Sequence, residues 1–221
     1  MDDIIQGQVI NIDGKCLRGS DDKKLGKQAI YMVSAWAVEN EIVLGQRKLD
    51  EKSNEITTIP ELLKILAISG CIVTIDAMGT QTNIVKTILE ANADYVLSVK
   101  ENQGHLFEDI MTLFAVDQTQ NFKYASFEYK KTISKGQGRI DVRECWSTSN
   151  PAYLNLIRGS ENWAGLQSIA MVISHAQLDT NRQGMCAAIS PVCPVMQIEF
   201  YRRFANIGLS KINCIGFWMS L

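Results

Sequence analysis

Two short runs of apolar residues in this chain end in the same way, with Ile-Asp followed by a turn that contains glycine. The runs occupy residues 9–14 and 71–79. Apolar runs of this length, bounded by turn residues, are typical of buried strands. The pattern therefore predicts two strands that place Asp13 and Asp76 at their carboxyl ends.

The residues between and after these runs predict an alternation of strands and helices. Apolar runs at 30–38 and 41–49 flank Glu39-Asn40 and predict a β-hairpin. Residues 58–61 have the form of a capping box with a proline in the first turn, and apolar residues follow at helical spacing up to Gly70. The same reasoning predicts a helix capped by Thr80 or Thr82, a strand at 95–99 and a helix from about 105 to 114.

The order of these elements predicts a mixed sheet. A strand–helix–strand connection implies parallel pairing, and the hairpin adds antiparallel strands at one edge. Residues 122–173 are strand-like instead, with runs at 124–133, 138–146 and 167–173. Residues 185–221 have neither the helical nor the strand period. That segment is either an irregular extension or a peptide translated out of frame.

Composition narrows the class of protein. The chain has 221 residues, of which 46% are hydrophobic and 21% charged, which suits one soluble domain of moderate size. A net charge of −2 gives no global electrostatic reason to bind nucleic acid. The six cysteines lack metal-ligand spacing and no signal peptide precedes them, so we expect a reduced, cytoplasmic protein. No apolar stretch reaches the roughly 20 residues needed to cross a membrane.

Asp13 and Asp76 are the strongest candidates for chemistry. If their strands are neighbours, the two carboxylates meet at the sheet end where open α/β sheets bind ligands. Two such carboxylates repel each other unless a cation lies between them, and hard oxygen ligands favour Mg²⁺ or Mn²⁺. The alternative is that each aspartate only caps the element that follows it. Finding two aspartates in the same local setting favours the site.

Several longer motifs then identify a resemblance. Between Val9 and about Ile173, the chain resembles the transposases of the ISAs1 group, which include the H-repeat-associated proteins, within the DDE transposase superfamily. Such enzymes are similar in fold to ribonuclease H. The implied fold class is therefore α/β, with a ribonuclease H-like mixed sheet and flanking helices, followed by a β-rich insertion and an irregular C-terminal tail. The matching stretches are 12–20, 32–36, 50–56, 59–63, 74–79, 94–97 and 100–104.

The resemblance also implies an activity. Asp13 and Asp76 match the first and second acidic residues of the DDE triad, which holds two divalent ions, Mg²⁺ or Mn²⁺, roughly 3.5–4 Å apart. The implied reaction is phosphodiester hydrolysis and strand transfer on DNA at insertion-sequence ends, and the resemblance leaves open whether the chain forms a homodimer. The expected DNA contacts are Lys100, Asn102, Gln103 and Arg139, although capping of the next helix is an equal alternative for Asn102. Next to Arg139, the family usually has a histidine where this chain has Gln137, and a glutamate where it has Asp141.

Both ends of the chain depart from the family. The resemblance implies a longer region before the first strand, and a third acidic residue in a helix similar to His-Trp-x-Ile-Glu-Asn-x-Leu-His-Trp. Neither is present, but the third-base reading frame of residues 206–216 can encode His-Trp and Glu-Asn-Lys-Leu-His-Trp. We therefore expect an N-terminally truncated, frameshifted chain. It would consist of a partial catalytic core at 1–120, a β-rich insertion of the same domain at 121–184 and an out-of-frame tail at 185–221.

Three classes of function follow from these observations. The first is a DDE transposase, in this chain a defective fragment without the third acidic ligand. The second is a non-catalytic remnant with at most weak DNA binding. The third is an α/β protein that binds a small molecule, which the lack of a glycine-rich phosphate loop disfavours.

Overall fold

The first half of the chain forms a mixed sheet. The computed structural model describes residues 7–20, 29–49, 54–119, 127–136, 139–177 and 182–190. The chain divides into two units after Leu97. The first unit contains the strands β1 (Val9–Cys16), β2 (Tyr31–Ala37), β3 (Ile42–Lys48), β4 (Ile72–Ile75) and the first residues of β5 (Asp94–Val99). These strands lie in the order β3-β2-β1-β4-β5.

The pairing of these strands follows the sequence-based prediction. β4 is parallel to both β1 and β5, because a connection that contains a helix lies before and after it. β2 is antiparallel to β1 and to β3, as expected of the predicted hairpin. β4 and β5 are largely buried, as is the first half of β1, which is typical of strands covered by helices.

Two helices cover this sheet, α1 (Glu55–Leu63) and α2 (Thr82–Glu90). They contact each other through their apolar faces. At the predicted helical spacing, these faces bury Ile59, Leu62 and Leu63 in α1, and Ile84, Val85 and Ile88 in α2.

The beginning and end of α1 differ from the prediction. The helix begins after Asn54, whose side chain accepts a hydrogen bond from the Thr57 N–H while the Thr57 hydroxyl accepts one from the Asn54 N–H, at 3.0 and 3.1 Å. The predicted cap, Thr58, is instead buried inside the helix with 3% of its surface exposed. Pro60 therefore lies within the helix, where it cannot donate a backbone hydrogen bond. The helix ends at Leu63 rather than near Gly70.

The predicted caps of α2 are also wrong. Neither threonine caps the helix, because Thr82 is its first residue and the N-cap position belongs to Gln81, which makes no capping bond through its side chain. The Thr80 hydroxyl donates instead to the Asp76 carbonyl at 3.2 Å. This bond ties the turn after β4 to the end of that strand.

The second unit is a helix followed by an antiparallel meander. The helix α3 (His105–Thr119) precedes β6 (Glu128–Gly136) and β7 (Arg139–Thr148). A short helix, α4 (Pro151–Leu154), then leads to β8 (Ser168–Gln177) and β9 (Arg182–Ser190). Each strand of the meander pairs with the next. Among the described residues, no helix of either unit is long and apolar enough to cross a membrane.

The meander confirms the strand-rich region predicted after residue 122, but the strands continue further along the chain than predicted. β9 was not predicted, and its pairing with β8 continues to Ser190. Irregular structure therefore does not begin at residue 185, and residues 191–221 lie outside the described part of the chain. The architecture is the α/β, ribonuclease H-like class that the sequence predicted, with a mixed sheet followed by a β-rich region.

Candidate metal centre

The carboxyl ends of β1 and β4 bring Asp13 and Asp76 to equivalent positions. Each aspartate follows an isoleucine, and these isoleucines, Ile12 and Ile75, lie opposite each other in the parallel register. Adjacent strands are about 4.8 Å apart. Both aspartates are exposed at this sheet end. The register therefore places the two aspartates at equivalent positions at the end of neighbouring strands.

The residues two positions earlier show which face of the sheet is involved. Asn11 and Thr74 are paired across β1 and β4, and the Thr74 hydroxyl donates to Asn11 Oδ1 at 3.0 Å. Because side chains repeat every two residues along a strand, the aspartates project on the same side as this pair.

Asp76 also caps the turn that follows it. Its Oδ1 accepts hydrogen bonds from the Met78 and Gly79 N–H groups at 3.0 and 3.4 Å, in a 3₁₀ turn that spans Ala77–Gly79. Asp76 therefore does cap the element that follows it, as the alternative predicted. Both capping bonds use the same oxygen, so capping does not prevent the carboxylate from binding a cation as well. Two N–H donors also fix its orientation, as hydrogen bonds to metal ligands commonly do.

A third carboxylate, which the sequence analysis did not identify, lies in the same region. Glu55 is the first residue of α1 and is half-buried. Its carboxyl group packs against the backbone of Gly14, in the space that a Cβ atom at that position would need. Burial raises the pKa of Glu55, and the negative charges of Asp76 and Asp13 raise it further. Glu55 therefore lies within electrostatic reach of both aspartates.

A signal for Glu55 was present in the sequence. Asn54 followed by an acidic residue and then by Thr57 is a typical helix start, since asparagine is a favoured N-cap and acidic residues favour the first turn. The competing capping-box pattern at residues 58–61 placed the predicted start of the helix after Glu55. The predicted helix therefore did not include Glu55, and no role was predicted for it.

These residues fit a divalent cation in the chemistry of their donors. Carboxylate oxygens are the ligands that Mg²⁺ and Mn²⁺ prefer, and three of them give this sheet end a negative potential. Within the described part of the chain, no three His, Cys, Asp or Glu side chains converge closely enough to enclose a metal ion. The carboxylates therefore have the right chemistry for a divalent cation, and the two aspartates lie on adjacent strands.

The expected DNA-contacting residues belong to the second unit. Lys100 directly follows β5, and Asn102 and Gln103 lie in a 3₁₀ turn that spans Glu101–Gln103. Gly104 precedes the first residue of α3, so Asn102 does not occupy the N-cap position of that helix. Arg139 is the first residue of β7 and is paired with Gly136 of β6.

Comparison with known proteins agrees with this architecture. Residues 5–153 match the family model described as "Transposase DDE domain". The chain is 42% identical over 176 residues to "Putative transposase YncI" of Escherichia coli O157:H7, which covers 79% of this chain and 44% of that protein. It is 34% identical over 203 residues to "H repeat-associated putative transposase YhhI" of Escherichia coli K12, which covers 92% of this chain and 50% of that protein.

The chain thus spans about half the length of the curated relatives it matches. The matched family model nevertheless covers well over half of the chain, including both aspartates and the mixed sheet that carries them. On this evidence, the chain belongs to the DDE transposases, in the family of the H repeat-associated transposases.

Proposed function

We propose that this chain carries part of the site of a DNA strand cleavage and transfer reaction, in which Asp13 and Asp76 hold divalent cations, Mg²⁺ or Mn²⁺. The observation that carries the proposal is the parallel register of β1 and β4, in which the exposed residues Asp13 and Asp76 directly follow the paired residues Ile12 and Ile75. The membership of the DDE transposase family supports it.

The chain's own residues contribute binding and orientation. Asp13 and Asp76 present oxygen ligands at the sheet end, and the capping bonds of Asp76 hold its carboxylate in place. When bound, divalent cations supply the activation of the attacking oxygen and neutralise charge on the phosphate. The carboxylates need such a cation to work beside DNA, because they would otherwise repel its phosphates.

For DNA contact we propose the four residues expected from the sequence, Lys100, Asn102, Gln103 and Arg139. With a net charge of −2, the chain has no overall attraction to DNA and must rely on local groups. Lysine and arginine neutralise phosphates, and amide side chains donate to phosphate or sugar oxygens. A Lys100→Ala variant should therefore lower DNA affinity and reduce the slope of its salt dependence by about one. The matched variant Lys86→Ala changes an exposed position of α2, and it should leave the DNA affinity and its salt dependence unchanged.

We further propose that this chain is a defective fragment, because its third acidic ligand is encoded in another reading frame. The third-base frame of residues 206–216 supports this. The sequence around Glu199, the one glutamate in residues 185–221, also differs from that around the family's third acidic residue. The alignment with YhhI covers 92% of the chain and so continues past residue 185. The position of the frame change must therefore be read from the nucleotide sequence. A non-catalytic remnant with weak DNA binding is the second candidate, and the same lack of a third ligand favours it.

The metal site is tested by titrating Mn²⁺ into the full chain and measuring binding by calorimetry. We expect binding that is lost in Asp13→Asn and Asp76→Asn. Asp94→Asn is the matched control, because Asp94 is an exposed residue at the opposite, amino end of β5. Binding that is equal in wild type and in Asp13→Asn would refute the site.

The defect is tested by DNA cleavage. The chain should give no specific cleavage of insertion-sequence ends with Mn²⁺ or Mg²⁺, because loss of one of three ligands misplaces the metal. Efficient cleavage that disappears in Asp13→Asn would show that the chain is a competent enzyme and would refute the defect.

A further inference from the structure

We propose that one face of the β6–β7 hairpin is an aromatic platform on which an unpaired base of a DNA strand stacks. The platform consists of Tyr129, Lys131 and Ile133 of β6 and Trp146 of β7. This inference rests on the proposed function, and it adds a base-stacking surface to the polar DNA contacts proposed above.

The register of the two strands brings the platform residues to one face. Tyr129 is paired with Trp146, and Lys131 and Ile133 follow Tyr129 at intervals of two residues, which lie on the same side of a strand. The rings of Tyr129 and Trp146 have centroids 5.1 Å apart and planes inclined by 42°. Two aromatic side chains therefore pack next to each other on this face.

The platform is open to solvent. Tyr129 is 51% exposed and Ile133 is 60% exposed. In the described part of the chain, β6 pairs with β7 alone, so the platform lies at the edge of the meander. Exposed apolar side chains on an edge strand favour unwanted pairing with other chains, and natural sequences usually avoid them. Their presence here favours a ligand that covers them.

Hydrogen bonds hold the tyrosine ring in place. Its hydroxyl donates to Glu144 Oε1 at 2.6 Å, and Lys131 Nζ donates to the same oxygen at 3.3 Å. The bond with Glu144 raises the pKa of Tyr129 to about 12, so the hydroxyl stays neutral at pH 7. Glu144 is 21% exposed and Lys131 is 48% exposed, so the positive group is the more accessible of the two. A ring that is already fixed loses little conformational entropy when a ligand stacks on it.

The charge and chemistry of the hairpin match a nucleic-acid strand. Residues 128–148 contain five basic and three acidic residues, in a chain whose net charge is −2. Single strands bind where cationic side chains accompany aromatic rings, because every base has a π-face and every phosphate is anionic. A base within a duplex has both faces covered by its neighbours, so the platform suits an unpaired base.

The test compares two substitutions of Tyr129 in the full chain. Tyr129→Phe and Tyr129→Leu both lose the hydrogen bond with Glu144, but only phenylalanine keeps an aromatic face. The probe is a short single-stranded oligodeoxynucleotide that contains 2-aminopurine, whose fluorescence changes when an aromatic ring stacks on it. We expect Tyr129→Phe to match wild type in affinity and in fluorescence change. Tyr129→Leu should bind at least about fivefold more weakly, with a smaller fluorescence change.

The outcomes separate this inference from the function on which it rests. Equal affinity and equal fluorescence change in Tyr129→Leu and Tyr129→Phe, together with weaker binding in Lys100→Ala, would overturn the platform and leave the proposed DNA binding intact. A wild-type chain that binds neither the single strand nor the duplex of the same sequence would overturn both.

The wild-type chain also tests the platform without any substitution. If circular dichroism shows that Tyr129→Leu does not fold, the wild-type fluorescence decides, because a bound strand whose 2-aminopurine signal does not change has no stacked base. A signal that changes equally in the single strand and in the duplex would refute the preference for an unpaired base.

Discussion

At the scale of single residues, the candidate site could be predicted only where its signal is local. Asp13 and Asp76 were found because each follows its own apolar strand and precedes a turn. The helix start at Asn54 and Glu55 has a local signal, but the packing of Glu55 against Gly14, a residue 41 positions earlier in the chain, has none. No periodicity around residue 55 carries that information, because it arises only when α1 packs beside β1.

The two roles of Asp76 can be separated by two substitutions. Asparagine keeps an oxygen that can cap the turn after β4 but loses the charge, whereas alanine loses both. Both variants lose the charge, so the difference in stability between them measures the cap alone. We expect Asp76→Asn to be more stable than Asp76→Ala by about 1 kcal/mol in urea denaturation, and both to lose Mn²⁺ binding. Equal stabilities would mean that the cap contributes nothing.

At the scale of elements, the order of strands and helices was predictable but their ends were not. The first hairpin and the strand–helix–strand connections follow from hydrophobic pattern and turn residues, and the structure confirms both. The start of α1 depended on two overlapping caps, at Asn54 and Thr58. Burial of Thr58 against the rest of the unit decides between them, and that is a tertiary effect. Similarly, β9 is defined by its pairing with β8 rather than by its own pattern.

One ion pair between elements predicts a dependence of stability on pH. Asp109 of α3 accepts hydrogen bonds from the Arg158 backbone N–H at 2.8 Å and from its guanidinium Nη2 at 2.6 Å. The side-chain hydrogen bond with Arg158 is the main reason why the pKa of Asp109 is lowered. Because the folded state favours the charged form, this stabilisation is complete above the ordinary aspartate pKa of about 4 and is lost as the pH falls below it.

Asp109→Asn should therefore lower the melting temperature at pH 7, and its difference from wild type should shrink as the pH falls below about 4. Glu108→Gln is the matched control, because Glu108 is 64% exposed and contacts Arg158 at 3.4 Å. Thermal melts from pH 7 to pH 3 give the measurement. A difference that stays constant over this range would show that the Asp109 charge is not responsible.

At the scale of the whole molecule, neither overall charge nor length identifies the activity. A net charge of −2 argues against general attraction to DNA, and yet 149 consecutive residues match a transposase domain. The proposed chemistry rests instead on the arrangement of a few residues on the mixed sheet. The chain spans about half the length of these relatives, and the activity of a complete transposase is a proposal for it.

The proposal of an out-of-frame tail makes a prediction about stability. A peptide translated in the wrong frame has not been selected to pack on the rest of the protein. A chain that ends at Ser190 keeps all of β9, and it should melt within about 2 °C of the full chain, which corresponds to less than about 1 kcal/mol for a protein of this size. A chain that ends at Gln177 also loses β9, and it should melt at a clearly lower temperature, because the whole edge of β8 loses its partner. If the chain that ends at Ser190 melts as low as the shorter one, residues 191–221 must contribute selected packing, and the frameshift proposal is wrong.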